Sequence, residues 1–376
     1  MEKLTDICNI QYGYAFDSGC FTEKCSYPPL IRIRDVKRGF SETYYSGEYS
    51  KEYVVHAGDL LIGMDGEFNI ARWKSIDGLL NQRVCKLTAK EGTDEEYLRF
   101  ALVKALKIIE NKTAFVTVKH LSAKELNKLE LDLPCIEKQS LRAKILTKLE
   151  RIIWYREDEL RELDNLIRAR FIEMFGTLHD NERGFDIVTI EEVCSLIKDG
   201  THQTPQYTTN KEKGYKFLSS KDVMSQKIDW RNIKYIPAEL HEKLYATIKP
   251  QKNDILMSKN GVNYGVAAVN DTDEIFDIYV SLALLRPKKI IDPVFFRCVI
   301  NNPETKRQFD SSIKGIGVPN LHLSEIKKTK IFLPPMELQQ KFVTVVDQVN
   351  KSKVKVQKAL DETQKLFDSL MQQYFG

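Results

Sequence analysis

The chain has 376 residues, 42% of them apolar and 29% charged, which excludes bulk disorder and exceeds what one core usually organises. No stretch reaches the roughly 18 consecutive apolar residues of a membrane-spanning helix. Net charge is only +4, with 28 basic and 28 acidic side chains in residues 1–176 and 29 and 25 in the remainder; non-specific coating of nucleic acid, which needs many phosphate contacts, is thereby excluded, but local basic patches are not. In chain order, Leu30-Ile31-Arg32-Ile33-Arg34-Asp35-Val36 alternates like a half-buried strand. Gly58-Asp59-Leu60-Leu61-Ile62-Gly63-Met64 reads as a turn and a short buried strand, Gln82-Arg83-Val84-Cys85-Lys86-Leu87 as another strand, and residues 95–111 as a helix. From residue 138 to 174 the spacing changes to 3.5, with Leu146, Leu149, Ile153, Arg156, Leu160, Leu163, Ile167, Arg170 and Met174 forming a coiled-coil seam about 56 Å long.

The order then repeats. Lys216 to Val223, Asn253 to Ser258 and Ser281 to Arg286 are second copies of the three strand segments, with a helical patch at 293–311. Val118-x-x-Leu121, Leu131-Asp132-Leu133-Pro134 and Glu137-x-Gln139 recur 200 residues later as Val318-x-x-Leu321, Ile331-Phe332-Leu333-Pro334 and Glu337-x-Gln339. The second seam is Val346, Val349, Lys353, Val356, Leu360, Thr363, Phe367, Leu370 and Tyr374. Two large copies are not a solenoid. The expected fold is α+β, with two globular heads in tandem, each followed by a long helix, the helices pairing as an antiparallel coiled coil about a pseudo-two-fold. The expected domains are 1–136, a central helix over 137–176, a second head over 177–335 and a C-terminal helix over 336–376. Polar seam residues are offset between the copies, Arg156 against Val356 and Lys353 against Ile153, which favours one fixed register. Inverted heads separated by the helices would suit two half-sites on opposite DNA strands, some 16 base pairs apart at 3.4 Å each.

No phosphate loop, HExxH, GxSxG or dinucleotide fingerprint occurs, nor the Asn/Asp-Pro-Pro-aromatic string of an amino-methyltransferase. The six histidines are scattered and the seven cysteines have no CxxC spacing, so reduced thiols in a cytoplasmic protein, without metal or other cofactor, are expected. The chain reads as no enzyme on its own.

Leu30 to Val36, Gly58 to Gly66, Leu80 to Val84, Lys198-Asp199-Gly200-Thr201-His202-x-Thr204-Pro205, Phe217 to Val223 and Leu333-Pro334-Pro335-x-Glu337-x-Gln339, taken in duplicate over essentially the whole chain, resemble the specificity subunit of Type I restriction–modification enzymes. The resemblance implies two target-recognition domains, each reading half of a bipartite site in double-stranded DNA. It also implies helices that set the spacer and dock two methyltransferase subunits, with an ATP-driven restriction or translocase subunit as a further partner and no membrane. Only Met1-Glu2-Lys3 precedes the first head, so the C-terminal helix is expected to supply what an N-terminal conserved stretch supplies in some members. The contrasting reading is a two-headed coiled-coil adaptor for protein ligands.

Candidate DNA contacts follow from side-chain chemistry. In the first head they are Arg32, Arg34, Lys37 and Arg38 on the expected strand and its turn, Asn69, Arg72 and Trp73 in a glycine-flanked loop, and Asn81, Gln82, Arg83 and Lys119. In the second they are Lys198, Thr201, His202, Gln203, Tyr207, Lys221, Lys259, Asn260, Asn263, Tyr264 and Lys314. Arginine and lysine meet phosphate or guanine, and amides suit adenine edges.

Overall fold

The run Leu60-Leu61-Ile62 forms a strand (Leu60–Gly63) buried on both faces, which is why its apolar residues do not alternate. In the computed structural model, which describes residues 1–112, 120–313 and 319–376, this strand belongs to the first of two units. That unit comprises Met1–Asp158 with Val356–Gly376; the second is Glu159–Lys355.

The first unit is built on an antiparallel sheet in the order Cys8–Tyr12, Val84–Ala89, Leu60–Gly63, Ile70–Arg72. Leu60, Ile62 and Leu87 face the helix Glu95–Lys112 through Tyr97, Leu98, Leu102 and Leu106. Leu61 and Val84 point the other way, onto Ile31, Val36, Val55, Trp73 and Leu80, as the two-residue period of a strand requires. A small mixed sheet, Leu30–Ile31 parallel to Gly78–Leu80 with Val54–Val55 antiparallel, carries that second layer.

The alternation over residues 30–36 does not produce one strand. Extension stops at Ile31, and Ile33–Arg38 is a helix. The Asp35 carboxylate accepts the Arg32 N–H at 2.9 Å, and Gly39, at φ +79°, ends the helix with its N–H on Asp35 O. An acidic cap and a left-handed glycine outweigh strand patterning.

The second unit repeats this plan. Its sheet runs Cys194–Asp199, Leu282–Pro287, Ile255–Ser258, Ala267–Val269. Tyr215–Leu218 leads into a 3-10 turn, Ser220–Val223, closed by Asp222 accepting the Ser219 N–H at 2.7 Å. Asp222 thus does for this unit what Asp35 does for the first. The expected single helix over 293–311 is two, Pro293–Ile300 and Pro303–Ser312. Pro303 disfavours helical backbone at Asn302, whose side chain instead caps the new helix at the Glu304 N–H, 2.8 Å away.

The long helices are Ile136–Phe175 and Met336–Phe375. The Glu-x-Gln repeat marks their starts. Gln139 is buried; its amide donates to Pro134 O (2.7 Å) and Gly92 O (3.1 Å) and accepts the Asp94 N–H (2.9 Å). Gln339 does the same with Pro334 O (2.8 Å), Ile290 O (3.1 Å) and Asp292 N–H (2.8 Å). Each glutamine stitches a long helix to the connection ahead of the head's own helix.

Within each unit the helical segments run antiparallel. In the first, Arg142 lies over Tyr374 at 4.8 Å, Leu146 packs on Met371, and Arg156 donates to Ala359 O and Thr363 Oγ1. In the second, Asp164 pairs with Lys353 at 2.6 Å and Phe171 meets Phe342 edge-on at 5.5 Å. The polar seam residues Arg156 and Lys353 therefore find specific partners on the facing segment, as register devices do. Among the described residues, no helix is long and apolar enough to cross a membrane.

Candidate nucleic-acid interface

In each head, four connections are laced together at one end of the four-stranded sheet by the same five backbone hydrogen bonds. In the first head these are Gly13 N to Val84 O (3.0 Å), Tyr14 N to Leu80 O (2.9 Å), Gln82 N to Tyr14 O (2.7 Å), Met64 N to Arg83 O (2.8 Å) and Leu121 N to Met64 O (2.7 Å). Their counterparts are Gly200 N to Leu282 O (3.3 Å), Thr201 N to Ile278 O (3.1 Å), Val280 N to Thr201 O (3.0 Å), Lys259 N to Ser281 O (3.0 Å) and Leu321 N to Lys259 O (2.7 Å). A Cβ on Gly13 or Gly200 would lie 2.1 Å from Asn81 O or Ile278 O respectively, so both crossings require glycine. The shared connectivity pairs Asp65 with Asn260, Arg83 with Ser281 and His120 with Asn320.

On this common rim the side chains differ. In the first head Arg83 reaches His120, Nη1 to Nε2 at 3.0 Å, and His120 Nδ1 lies 2.5 Å from Asp65 Oδ1. In the second, Lys259 is only 5% exposed and donates to Asp199 at 2.7 Å, and His202 lies 3.3 Å from the same carboxylate. Burial pushes the Asp199 carboxyl up, but the Lys259 ammonium and His202 outweigh it and hold the group below its ordinary value. Asn260 bridges Asn320, and its Oδ1 is buried without a partner among the described residues.

Other candidates fall around these rims. Arg32, Arg34, Lys37 and Arg38 are exposed, on the Ile33–Arg38 helix and its cap rather than on a strand. Ile33 packs against the Gly63 position at the strand end, and Lys37 pairs with Glu67 at 3.7 Å, which places this basic helix beside the rim. Gln82 is exposed at its tip, and Asn69, half-buried, donates to Glu67 O at 3.1 Å. Asn81 is 7% exposed and shapes the turn by accepting the Gln82 N–H.

In the second head Gln203 is exposed, Thr201 Oγ1 accepts its N–H at 3.2 Å, and the Lys198 amine reaches Thr247 O at 3.5 Å. Tyr207 lies beneath Lys234, 4.0 Å from ring centre to amine. Lys221 is exposed on the 3-10 turn, and Asn263 is exposed with its carbonyl taking the Ser258 hydroxyl. Lys119 and Lys314 lie outside the described residues.

Beside Lys259, three further candidates serve the fold of their own head. Trp73 is 1% exposed, and its indole N–H donates to Ile76 O at 2.7 Å. Arg72 is held by Glu96, by Glu95 at 2.8 Å and by Gly58 O at 2.6 Å, which ties its strand to the following helix. Tyr264 is 8% exposed; its hydroxyl donates to Asp310, and Lys306 sits 3.8 Å over its ring. The structure places Arg72 at a strand end rather than in the expected loop, and the polar atoms of all three serve the head's own packing. Asp65, His120, Asp199 and Asn320 are not among the contact candidates that side-chain chemistry selects. The repeat pairs 120 with 320 beside its Leu121/Leu321 anchor, and that register was the available signal.

A family model described as Type I restriction modification DNA specificity domain matches residues 1–165 and 182–363. The chain is 29% identical over 373 residues to the Type I restriction enzyme EcoBI specificity subunit of Escherichia coli, covering 92% of this chain and 78% of that one. It is 22% identical over 333 residues to the MjaVIII specificity subunit of Methanocaldococcus jannaschii, covering 84% and 77%. In three dimensions it resembles the Type I restriction–modification S subunit from M. genitalium, with TM-score 0.59 and 14% identity over 100% of this chain and 95% of that one. With the tandem heads, the paired long helices and a match that spans both heads, the chain belongs to the Type I restriction–modification DNA specificity family.

Proposed function

We propose that this chain is the non-catalytic sequence-recognition subunit of a Type I restriction–modification complex, each head reading one half of a bipartite site in double-stranded DNA. The observation that carries this reading is the duplicated rim, in which the same backbone lacing presents Arg83, Asp65 and His120 in one head and, around a buried Lys259–Asp199 ion pair, His202 and Asn260 in the other. Two scaffolds of one design with different polar faces suit two different short sequences, because base edges are told apart by donor and acceptor pattern. The relatives are specificity subunits, and a protein-binding adaptor would leave that likeness unexplained. Two methyltransferase subunits dock on the long helices and supply the S-adenosylmethionine chemistry, and restriction subunits join the same assembly. The helices set the unread spacer, and the complex works in the cytoplasm, where the DNA is. The domain limits we infer are 1–136 and 177–335 for the heads, with 137–176 and 336–376 for the helices.

Exchanging residues 177–335 for the corresponding head of a relative tests this directly. The methylated motif of the reconstituted complex should keep one half-site and its gap while the other half-site changes. A motif altered in both halves, or in neither, would contradict the reading.

A further inference from the structure

Among the described residues of the two rims, the turn that carries Arg83 is the one place where a residue other than glycine takes left-handed backbone. Val84 N closes onto Asn81 O at 3.1 Å, which makes Arg83 the third residue of a tight turn, and it sits there at φ +70°. Glycine or asparagine ordinarily fills such a position, because a long side chain is disfavoured in left-handed backbone. The equivalent turn of the second head, closed by Leu282 N onto Tyr279 O at 2.9 Å, has Ser281 there without positive φ, and its hydroxyl accepts the Ser220 N–H at 3.0 Å. An observed outlier of this kind points toward function. In Arg83 it lifts a guanidinium from the rim, half exposed.

The guanidinium is also held from behind. Asp65 Oδ2 lies 3.7 Å from its Nε, and Asp65 Oδ1 lies 2.5 Å from His120 Nδ1. Arg83 Nη1 lies 3.0 Å from His120 Nε2 and 3.2 Å from Nδ1, so the guanidinium rests against the imidazole ring. Two neighbours on separate connections thus fix the plane of the fork, and Nη2 has no partner among the described residues. A planar, pre-oriented fork with a free donor edge matches the paired O6 and N7 acceptors of guanine in the major groove. A phosphate contact would need only the charge.

We propose, building on the DNA-recognition reading above, that Arg83 reads a guanine in the half-site bound by the first head and that Asp65 and His120 are its positioning residues. Ser281, whose hydroxyl is taken up inside the second head, gives that head no equivalent guanine contact.

The test uses the complete complex of this chain with its methyltransferase partner and a duplex carrying its methylated motif. Each guanine of the motif is replaced in turn by 7-deazaguanine, which removes the N7 acceptor. Wild type should lose roughly 10-fold in affinity at one guanine of one half-site. The Arg83→Gly complex should be indifferent to that same replacement while keeping the wild-type penalties elsewhere, and Arg83→Lys and Asp65→Asn should each show a reduced penalty there. Because glycine relaxes the strained turn, Arg83→Gly should melt no lower than wild type, which separates lost reading from lost folding. Equal 7-deazaguanine penalties in wild type and both Arg83 variants, or a first half-site without guanine, would overturn the proposal and leave the DNA-recognition reading standing. If the wild-type complex bound no interrupted motif, the DNA-recognition reading itself would fall.

Discussion

Arg72 and Lys259 show how far a residue's type can mislead about its work. Both are cations in loop-rich sequence of a DNA-binding family, and both are fastened to carboxylates of their own head. Arg72→Met should cost the first unit about 1–2 kcal/mol, between a buried hydrogen-bonded charge and an exposed ion pair because a third of the side chain meets solvent, read as a lower melting temperature with both half-sites unchanged. Asp199→Asn strands the Lys259 ammonium in a buried position and should cost the second unit about 2–3 kcal/mol; here too melting is the readout. The Glu96 carboxyl beside Arg72 has a definite pH sign. Burial pushes it up, yet the Arg99 and Arg72 guanidiniums outweigh burial and hold it below its ordinary 4.5. Its contribution is therefore complete above about pH 4.5 and disappears as pH falls through the lower folded value. Glu96→Gln should flatten the acid limb of the stability profile, and an unchanged acid limb would contradict that assignment.

At the scale of elements, the sequence was legible wherever a pattern repeats and opaque wherever partners lie far apart. The heptad seams, the strands near residues 60, 84, 255 and 282, and the Glu-x-Gln starts were all readable from period and duplication. What the duplication could not tell is why glutamine recurs, since its partners at Gly92 and Asp94 lie 47 and 45 residues upstream. Gln139→Leu should strand those two backbone groups and Pro134 O, costing about 2–3 kcal/mol, and Gln339→Leu should do the same in the second unit. The strand expected over Leu30 to Val36 stops at Ile31, and the reason lies in the sequence itself: Asp35 three residues after Arg32, and Gly39 at the close, are cap and stop. Arg83, Asp65 and His120 could each be seen, but their meeting across 55 residues could not. Arg83 is nonetheless among the sequence candidates, because with Asn81 and Gln82 it lies in an expected loop.

For the whole molecule, recognition by the two heads and spacing by the helices that follow them are separable. Insertion of seven residues into each long helix adds about 10.5 Å of helix, close to three base pairs. The methylated motif should then keep both half-sites and widen only its gap. The most direct test of the central claim is a genome-wide methylation map of the host with and without this gene, under conditions in which it is expressed. The account predicts the loss of a single interrupted motif, two short blocks around a fixed gap, from the strain lacking the gene. An identical methylation map in the two strains would contradict it.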